Sequence, residues 1–449
     1  METAKIADAR NEQAQEGLKR ELTLGSATAL VVGEVIAVGI FLTPAQMAKS
    51  LGSPLLVILV WLAMGLMALS GAFCYGELAA RYPRTGGGYV YLREAYGPRV
   101  GFLYGWKCFL VMDPGLTAAL AVGMASYVGY IVQLSAVGTK AVAIGAVVAL
   151  AVANILGVRL GARLLRSLAV LKIVSLCFII LWGVLGGFGE WGNLSPFAHQ
   201  RPGSAPLLTG VAGAMLAGFF SFGGWWDLSK MGGEVRDPQR SLPRAIAFGV
   251  CIVTLLYVAT SVAFMYLVPL ELVSSGETFA AQAGQVLFGA AGAQVFTSIV
   301  VISVLGSLTA VIMTAPRVYY AMAADGLFFK RAASIHPRFG TPAAAIALQA
   351  TLASVLIAIG TFQQIIAYFI FVTVIFIGLT VAAVFVFRRR GAESSYRAPG
   401  YPATAILFLS LVVVMLVLIA GNDPKQALLG VGVVALGLPV YELVFRKRD

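Results

Sequence analysis

Two histidines and four cysteines are all that the 449-residue chain carries of the usual metal-binding and redox side chains, and none stands in a chemical pattern. His199 and His336 fall between apolar runs, while Cys74, Cys108, Cys177 and Cys251 fall inside them without metal-ligand spacing. The cysteines read as small interior residues, not as disulfides or redox centres. No HExxH, CxxC or GxSxG motif occurs, and no GxxxxGKS/T phosphate loop, so the chain has no ATP engine of its own. Convergent His, Ser and acidic residues of an enzyme site are missing, as is a ring of like residues for a channel. No cofactor and no metal is implied.

Charge is scarce as well. Charged residues make up 12% of the chain against 59% apolar, and mean hydropathy is +0.88. That is too little polar surface to cover a soluble globule of this size, so the expected class is an all-α membrane protein. Scanning for runs of about 20 apolar residues places spans near 24–44, 55–75, 101–131, 141–157, 165–187, 207–230, 245–268, 294–322, 342–360, 364–387, 402–420 and 426–445. Twelve transmembrane helices put both termini on one side.

The net charge of +12 raises the question of a nucleic-acid partner, and the placement of the cations answers it. With loops assigned alternately, one side and both tails hold 26 Lys and Arg, from Lys5 to Arg448. The other side holds only Lys49, Lys140, Arg201 and Lys425. This is the positive-inside asymmetry: both termini are expected in the cytoplasm, in a multi-pass protein of the cell (plasma or inner) membrane. The basic charge is topological and implies no nucleic acid; Arg388-Arg389-Arg390 reads as a stop-transfer anchor, with an anionic-lipid site as the alternative. The polar, mixed-charge stretch 1–22 is expected to be a cytoplasmic tail and not a cleavable signal peptide.

Two of the apolar runs are interrupted by glycine at matching points of the two halves: Val35-Ile36-Ala37-Val38-Gly39-Ile40-Phe41 and Phe220-Ser221-Phe222-Gly223-Gly224-Trp225. A helix that stops bonding to itself in lipid leaves bare N–H and C=O groups, which is tolerable only where they line a cavity or meet a ligand. Spans 1–5 (23–188) and spans 6–10 (206–390) each open with such a break. An odd number of spans per half makes the second copy enter from the opposite side, so the halves read as inverted repeats, with helices 11 and 12 (401–446) outside them. The whole is expected to form one transport domain.

Five stretches carry a family likeness: VVGEVIAVGIFLTP ending at Pro44, YGELAARYPRTGGGYVYLREAYGPRVGFLYGW (75–106), FFSFGGWWDLSKMGGEVRDPQRSLPRAI (219–246), APRVYYAMAADGLFFKRAASIHPRFGTPAAAI (315–346) and SYRAPGYPATAILFL (395–409). The chain resembles the permeases of the amino acid–polyamine–organocation superfamily, and is similar to the L-type amino acid transporters and their bacterial relatives. The resemblance implies a five-plus-five inverted-repeat fold with an α-amino acid held between broken helices 1 and 6. The physics agrees, since an ending helix offers carbonyls to an ammonium and a restarting one offers N–H groups to a carboxylate. Carried over, the substrate-binding residues are Ile36, Ala37, Val38, Gly39 and Ile40 with Phe220, Ser221, Phe222, Gly223 and Gly224. The carboxylate is expected on the N–H groups of Val38, Gly39 and Ile40, and the ammonium on carbonyls near Ile36, Phe220 and Phe222. The family's usual GSGIF reads Ala37-Val38-Gly39-Ile40-Phe41 here, without the serine hydroxyl, and Trp226 stands where relatives often carry a polar residue.

Phe220 takes the place of an aromatic gate over the substrate; ordinary packing is the alternative. Three ionisable groups within spans are singled out because such groups are costly in hydrocarbon and face a cavity or a partner. Lys172 matches a family lysine whose ammonium replaces a coupling sodium ion, or else it is a fixed brace between helices 1, 5 and 8. Glu34 departs from the family's small residue, and three roles are open to it: counter-ion of Lys172, coupling-proton site, or receptor for a cationic substrate. Asp113, before Pro114-Gly115, either caps a kink or takes part in function. The reading is a sodium-independent secondary transporter of L-amino acids, neutral ones first, by exchange or proton coupling, with a cationic amino acid or polyamine permease as the alternative. No obligatory accessory subunit is expected, because no extracellular cysteine is available to bridge to one.

Overall fold

The computed structural model describes residues 18–270, 279–359, 370–391, 393–422 and 424–445. The expected tail up to residue 17, residues 271–278 of one loop, the first residues of span 10 and the terminal cations at 446–448 lie outside them. The described residues are helical and contain no strand, only two isolated bridges, Leu22 to Val235 and Thr85 to Met231.

In chain order the helices are α1 (Leu24–Val35), α2 (Gly39–Leu51), α3 (Pro54–Arg81), α4 (Gly88–Tyr96), α5 (Pro98–Lys107), α6 (Asp113–Ile131), α7 (Ala136–Ile155), α8 (Val158–Leu185) and α9 (Leu207–Phe222). Then follow α10 (Pro238–Leu267), α11 (Phe279–Phe288), α12 (Gly292–Thr314), α13 (Pro316–Ala324), α14 (Ala343–Ile359), α15 (Ile370–Arg389), α16 (Ala403–Asn422), α17 (Pro424–Ala435) and α18 (Gly437–Val440). Among the described residues ten segments are long and apolar enough to cross a membrane, and α1 and α14 are shorter apolar helices. Helix starts follow local chemistry: the Thr23 and Ser53 hydroxyls accept from Ser26 N and Leu56 N, and Pro54, Pro98 and Pro238 sit in first turns where no N–H is needed.

Several helices outrun their apolar cores. Expected at 165, α8 begins at Val158, and α10 begins at Pro238, not 245. Hydropathy marks where lipid ends, whereas backbone hydrogen bonding continues into polar surroundings, where Arg163 and Arg166 keep their heads in water. A five-residue π-turn, Cys108–Met112, joins α5 to α6 just before Pro114. A proline has no N–H and collides with the preceding turn, and the wider turn absorbs that.

The loops sort into two groups. Arg317 reaches Glu234, Arg93 and Tyr89 reach Asp325, Arg388 reaches Glu77 and Arg159 reaches Glu21. All of these belong to the basic side of the sequence parse. At the opposite end of α3, Ser53 donates to Phe197 O and Arg201 N to Gly52 O. The 28 residues of α3 separate the two groups by about 42 Å. Segments α5–α6 and α12–α13 are the most buried (67% of each apolar window), while the window from Ala427 to Phe445 is the least (17%), so the former make the interior and the latter faces outward.

Candidate functional site

The first break covers residues 36–38. Val35, Ile36 and Val38 are β-branched and fit a helix poorly; Ile36 leaves helical geometry (φ −74°, ψ 85°), and α2 restarts at Gly39 with no side chain capping it. The second break follows Phe222: Gly223 is extended and Gly224 takes φ +107°, after which the chain runs in short 3-10 turns, Asp227–Lys230 and Gly232–Glu234.

These breaks interlock. A Cβ on Gly39 would sit 2.7–2.9 Å from Ser221, and one on Gly224 would sit 2.8 Å from Glu34 Cγ, in a backbone conformation that also favours glycine. The Thr43 and Ser221 hydroxyls lie 2.9 Å apart. Tyr257, on α10, places its hydroxyl 2.9 Å from Val35 O and 2.8 Å from Ser221 O, so one proton serves a carbonyl of each broken helix.

Between the breaks lies a cavity of about 80 Å³. A water needs about 10–15 Å³ on that measure, so the space holds several waters or a small solute. Its walls include Ala37, Val38, Gly39, Phe220, Ser221, Gly223 and Gly224 from the expected set, together with Glu34, Trp226 and Asp227. The start of α2 gives this region the positive end of a helix dipole, although of its first-turn N–H groups Phe41 N already donates to Val38 O at 3.1 Å. Three expected residues stand elsewhere. Ile40 is fully buried, the Phe222 ring packs on Trp61 and Tyr257 with centroids 6.0 and 5.2 Å away, and Ile36 contributes only its carbonyl to another partner.

That partner is Lys172. Its Nζ donates to Ile36 O at 2.6 Å, Ser303 O at 2.8 Å and Gly33 O at 2.9 Å, with Ser307 Oγ at 3.3 Å. An ammonium thus joins α1, α8 and α12 through carbonyls freed by the break and by Ser303. The same geometry corrects two expectations. Ile36 O already accepts from Lys172 and Ser307 and so is not open to a substrate ammonium, whereas Phe220 O accepts one bond, from Gly223 N at 3.2 Å, and keeps a second lone pair. Nor is Glu34 the counter-ion of Lys172: all four lysine partners are neutral oxygens, and the Glu34 carboxyl group adjoins Gly224 and Asp227 instead.

Asp113 proves to be part of a buried ion cluster. Lys230 Nζ lies 3.2 Å from Asp113 Oδ1 and 3.0 Å from Asp227 Oδ2, and Tyr319 donates to Asp113 Oδ2 at 3.2 Å. Lys107 is also buried, 3.0 Å from Met112 Sδ and over the Tyr104 ring. Lys107 carried the same signal as Asp113, a charge inside an expected span, while Asp227 and Lys230 stand at the very end of the expected span 207–230, Lys230 being counted with the loop cations. Tyr257 carried none, because a tyrosine in a span looks like any packing aromatic. Among the described residues no group of His, Cys, Asp and Glu is arranged to hold a metal ion.

Residues 22–436 match the model of a family described as amino acid permease. The serine/threonine exchanger SteT of Bacillus subtilis is 31% identical over 431 residues, covering 95% of this chain and 97% of its own. The human b(0,+)-type amino acid transporter 1 is 29% identical, covering 92% and 85%. The mouse large neutral amino acids transporter small subunit 2 is 29% identical, covering 98% and 84%.

Proposed function

The chain belongs to the amino acid permease family, and from that membership we propose that it is a sodium-independent secondary transporter of L-α-amino acids working by exchange. The observation that carries this reading is the packing of two helix breaks around one buried cavity. A zwitterion fits there: its carboxylate on the α2 N–H groups, its ammonium on the carbonyls at the end of α9, Phe220 O and Phe222 O among the expected ones. Lys172 supports sodium independence, because a covalent cation already sits among the oxygens joining α1 and α12. Phe220, half-buried on the cavity wall, is the proposed gate.

A largely apolar wall suits neutral side chains, and the relative named a serine/threonine exchanger supports small ones. A second reading, a basic amino acid or polyamine, is favoured by Glu34 and Asp227 on the cavity wall. The twelve-span, five-plus-five inverted repeat is the arrangement we infer for the whole, in the cell membrane, with both termini on the basic, cytoplasmic side. No accessory subunit is required on this reading, since Cys74, Cys108, Cys177 and Cys251 all lie within helices. Proteoliposomes with sodium replaced by choline test the proposal. Labelled neutral amino acid should enter faster when amino acid is inside, and methyl esters and N-acetyl derivatives should compete about tenfold to a hundredfold worse. A steep sodium requirement, or equal competition by amines without a carboxylate, would overturn it.

A further inference from the structure

Glu34 is 4% exposed and forms part of the cavity wall, and among the described residues the one hydrogen-bonding neighbour of its carboxyl group is another acid, Asp227, with no basic or neutral donor reaching either oxygen. Two buried acids side by side are costly unless a proton or another positive group is shared between them. Its neighbour across the second break is Asp227, also on the wall. No cation stands between the two. Lys230 touches Asp227 and Asp113 but not Glu34, and Lys107 has a thioether and aromatic rings as neighbours. Lys172 is spent on carbonyls of α1 and α12, and the Tyr257 hydroxyl on Val35 O and Ser221 O. Every charged or titratable group packed around Glu34 is therefore another acid or is engaged elsewhere.

We propose that Glu34 and Asp227 form a cation subsite beside the head-group site, taking one monovalent positive group into the cavity together with the amino acid. The inference rests on the transport reading above and assigns the charge that the site carries. Two sources supply that chemistry: the side-chain ammonium of a basic amino acid, or a proton accompanying a neutral one. Gly224 makes the subsite possible, since any Cβ there would occupy the space of the Glu34 side chain.

The test uses the full chain in sodium-free proteoliposomes, as wild type, Glu34→Gln and the charge-conserving Glu34→Asp, each checked for an unchanged thermal midpoint. In the first arm, L-ornithine and its uncharged analogue L-norvaline compete with labelled L-alanine. In the second, L-alanine uptake is measured with and without an inward proton gradient, with charge movement recorded on a solid-supported membrane. The expected result is either an ornithine advantage of about tenfold to a hundredfold or gradient-driven, charge-moving alanine uptake. Whichever holds should be lost in Glu34→Gln and largely kept in Glu34→Asp. Electroneutral, gradient-insensitive uptake with no ornithine advantage would overturn the subsite, as would a preference that survives Glu34→Gln. Absence of all uptake in choline, both with and without amino acid inside the vesicles, would instead sink the transport reading itself, so the two failures are distinct.

Discussion

Replacing Tyr257 with phenylalanine removes one oxygen atom and leaves the ring. That ring is fully buried, with the Trp61 centroid 5.0 Å away and the Phe222 centroid 5.2 Å away, so its packing survives the change. What disappears is the donor shared by Val35 O and Ser221 O, one carbonyl on each broken helix. A buried acceptor left without its donor costs about 1–3 kcal/mol in water-soluble proteins, and interhelical hydrogen bonds in membranes average about 0.6 with a maximum near 1.7. The lower range applies to a span, so the tie between the breaks should weaken by roughly 0.6–1.7 kcal/mol, a factor of about 3 to 18. If the tie holds the cavity closed around substrate, exchange by Tyr257→Phe in proteoliposomes should show a half-saturation concentration raised by several-fold. The thermal midpoint in detergent should fall by only a few degrees. Unchanged half-saturation and midpoint together would refute the reasoning and return Tyr257 to simple packing.

Two further outcomes follow from the same site. Phe220→Ala should lower exchange sharply at matched thermal stability, because a lost lid prevents the occluded intermediate; normal exchange in a well-folded Phe220→Ala would reduce the ring to wall packing. Gly39→Ala should be worse for both folding and exchange than alanine at an ordinary helix position, by about 1–3 kcal/mol, since its methyl would press within 2.9 Å of Ser221. Thermal midpoints of Gly39→Ala and the pair Gly39→Ala with Ser221→Gly would check this, the second change relieving the contacts with Oγ and Cβ but not the 2.8 Å approach to the Ser221 Cα, so that only part of the loss returns.

Much of this site was legible in the amino-acid order for a physical reason: lipid punishes local exceptions. Glycine inside the runs at Gly39 and Gly223-Gly224, and a lone lysine at 172, are exceptions to an apolar helix, and each proved to be where the backbone breaks or where freed carbonyls are gathered. The partners of these groups were not legible. Spacing along one helix says nothing about which face of another will meet it, so Glu34 was paired on paper with Lys172, although the lysine takes neutral carbonyls and the carboxyl group turns to Gly224 and Asp227. Asp227 and Lys230 escaped notice because they sit where an apolar run fades, a position that resembles a loop boundary. Helix ends drifted by up to seven residues at α8 and α10, since hydropathy tracks the solvent and not the hydrogen-bond ladder.

The segment entering α1 is joined to the chain beyond the second break by main-chain bonds: Glu21 N and Leu22 N reach Glu234 O at 2.9 and 3.0 Å, and Arg236 N reaches Leu22 O at 2.8 Å. Side chains reinforce these main-chain bonds: Arg236 Nε donates to Arg20 O and Arg20 to Val235 O, both at 3.2 Å, and Leu22 is buried, while proline at 21, 22 or 236 would delete a main-chain donor outright. On the proposed transport reading, the two short segments on the basic side are therefore tied to move together. An opening that swings one must carry the other, which makes release toward that side an all-or-none event instead of two independent unlatchings.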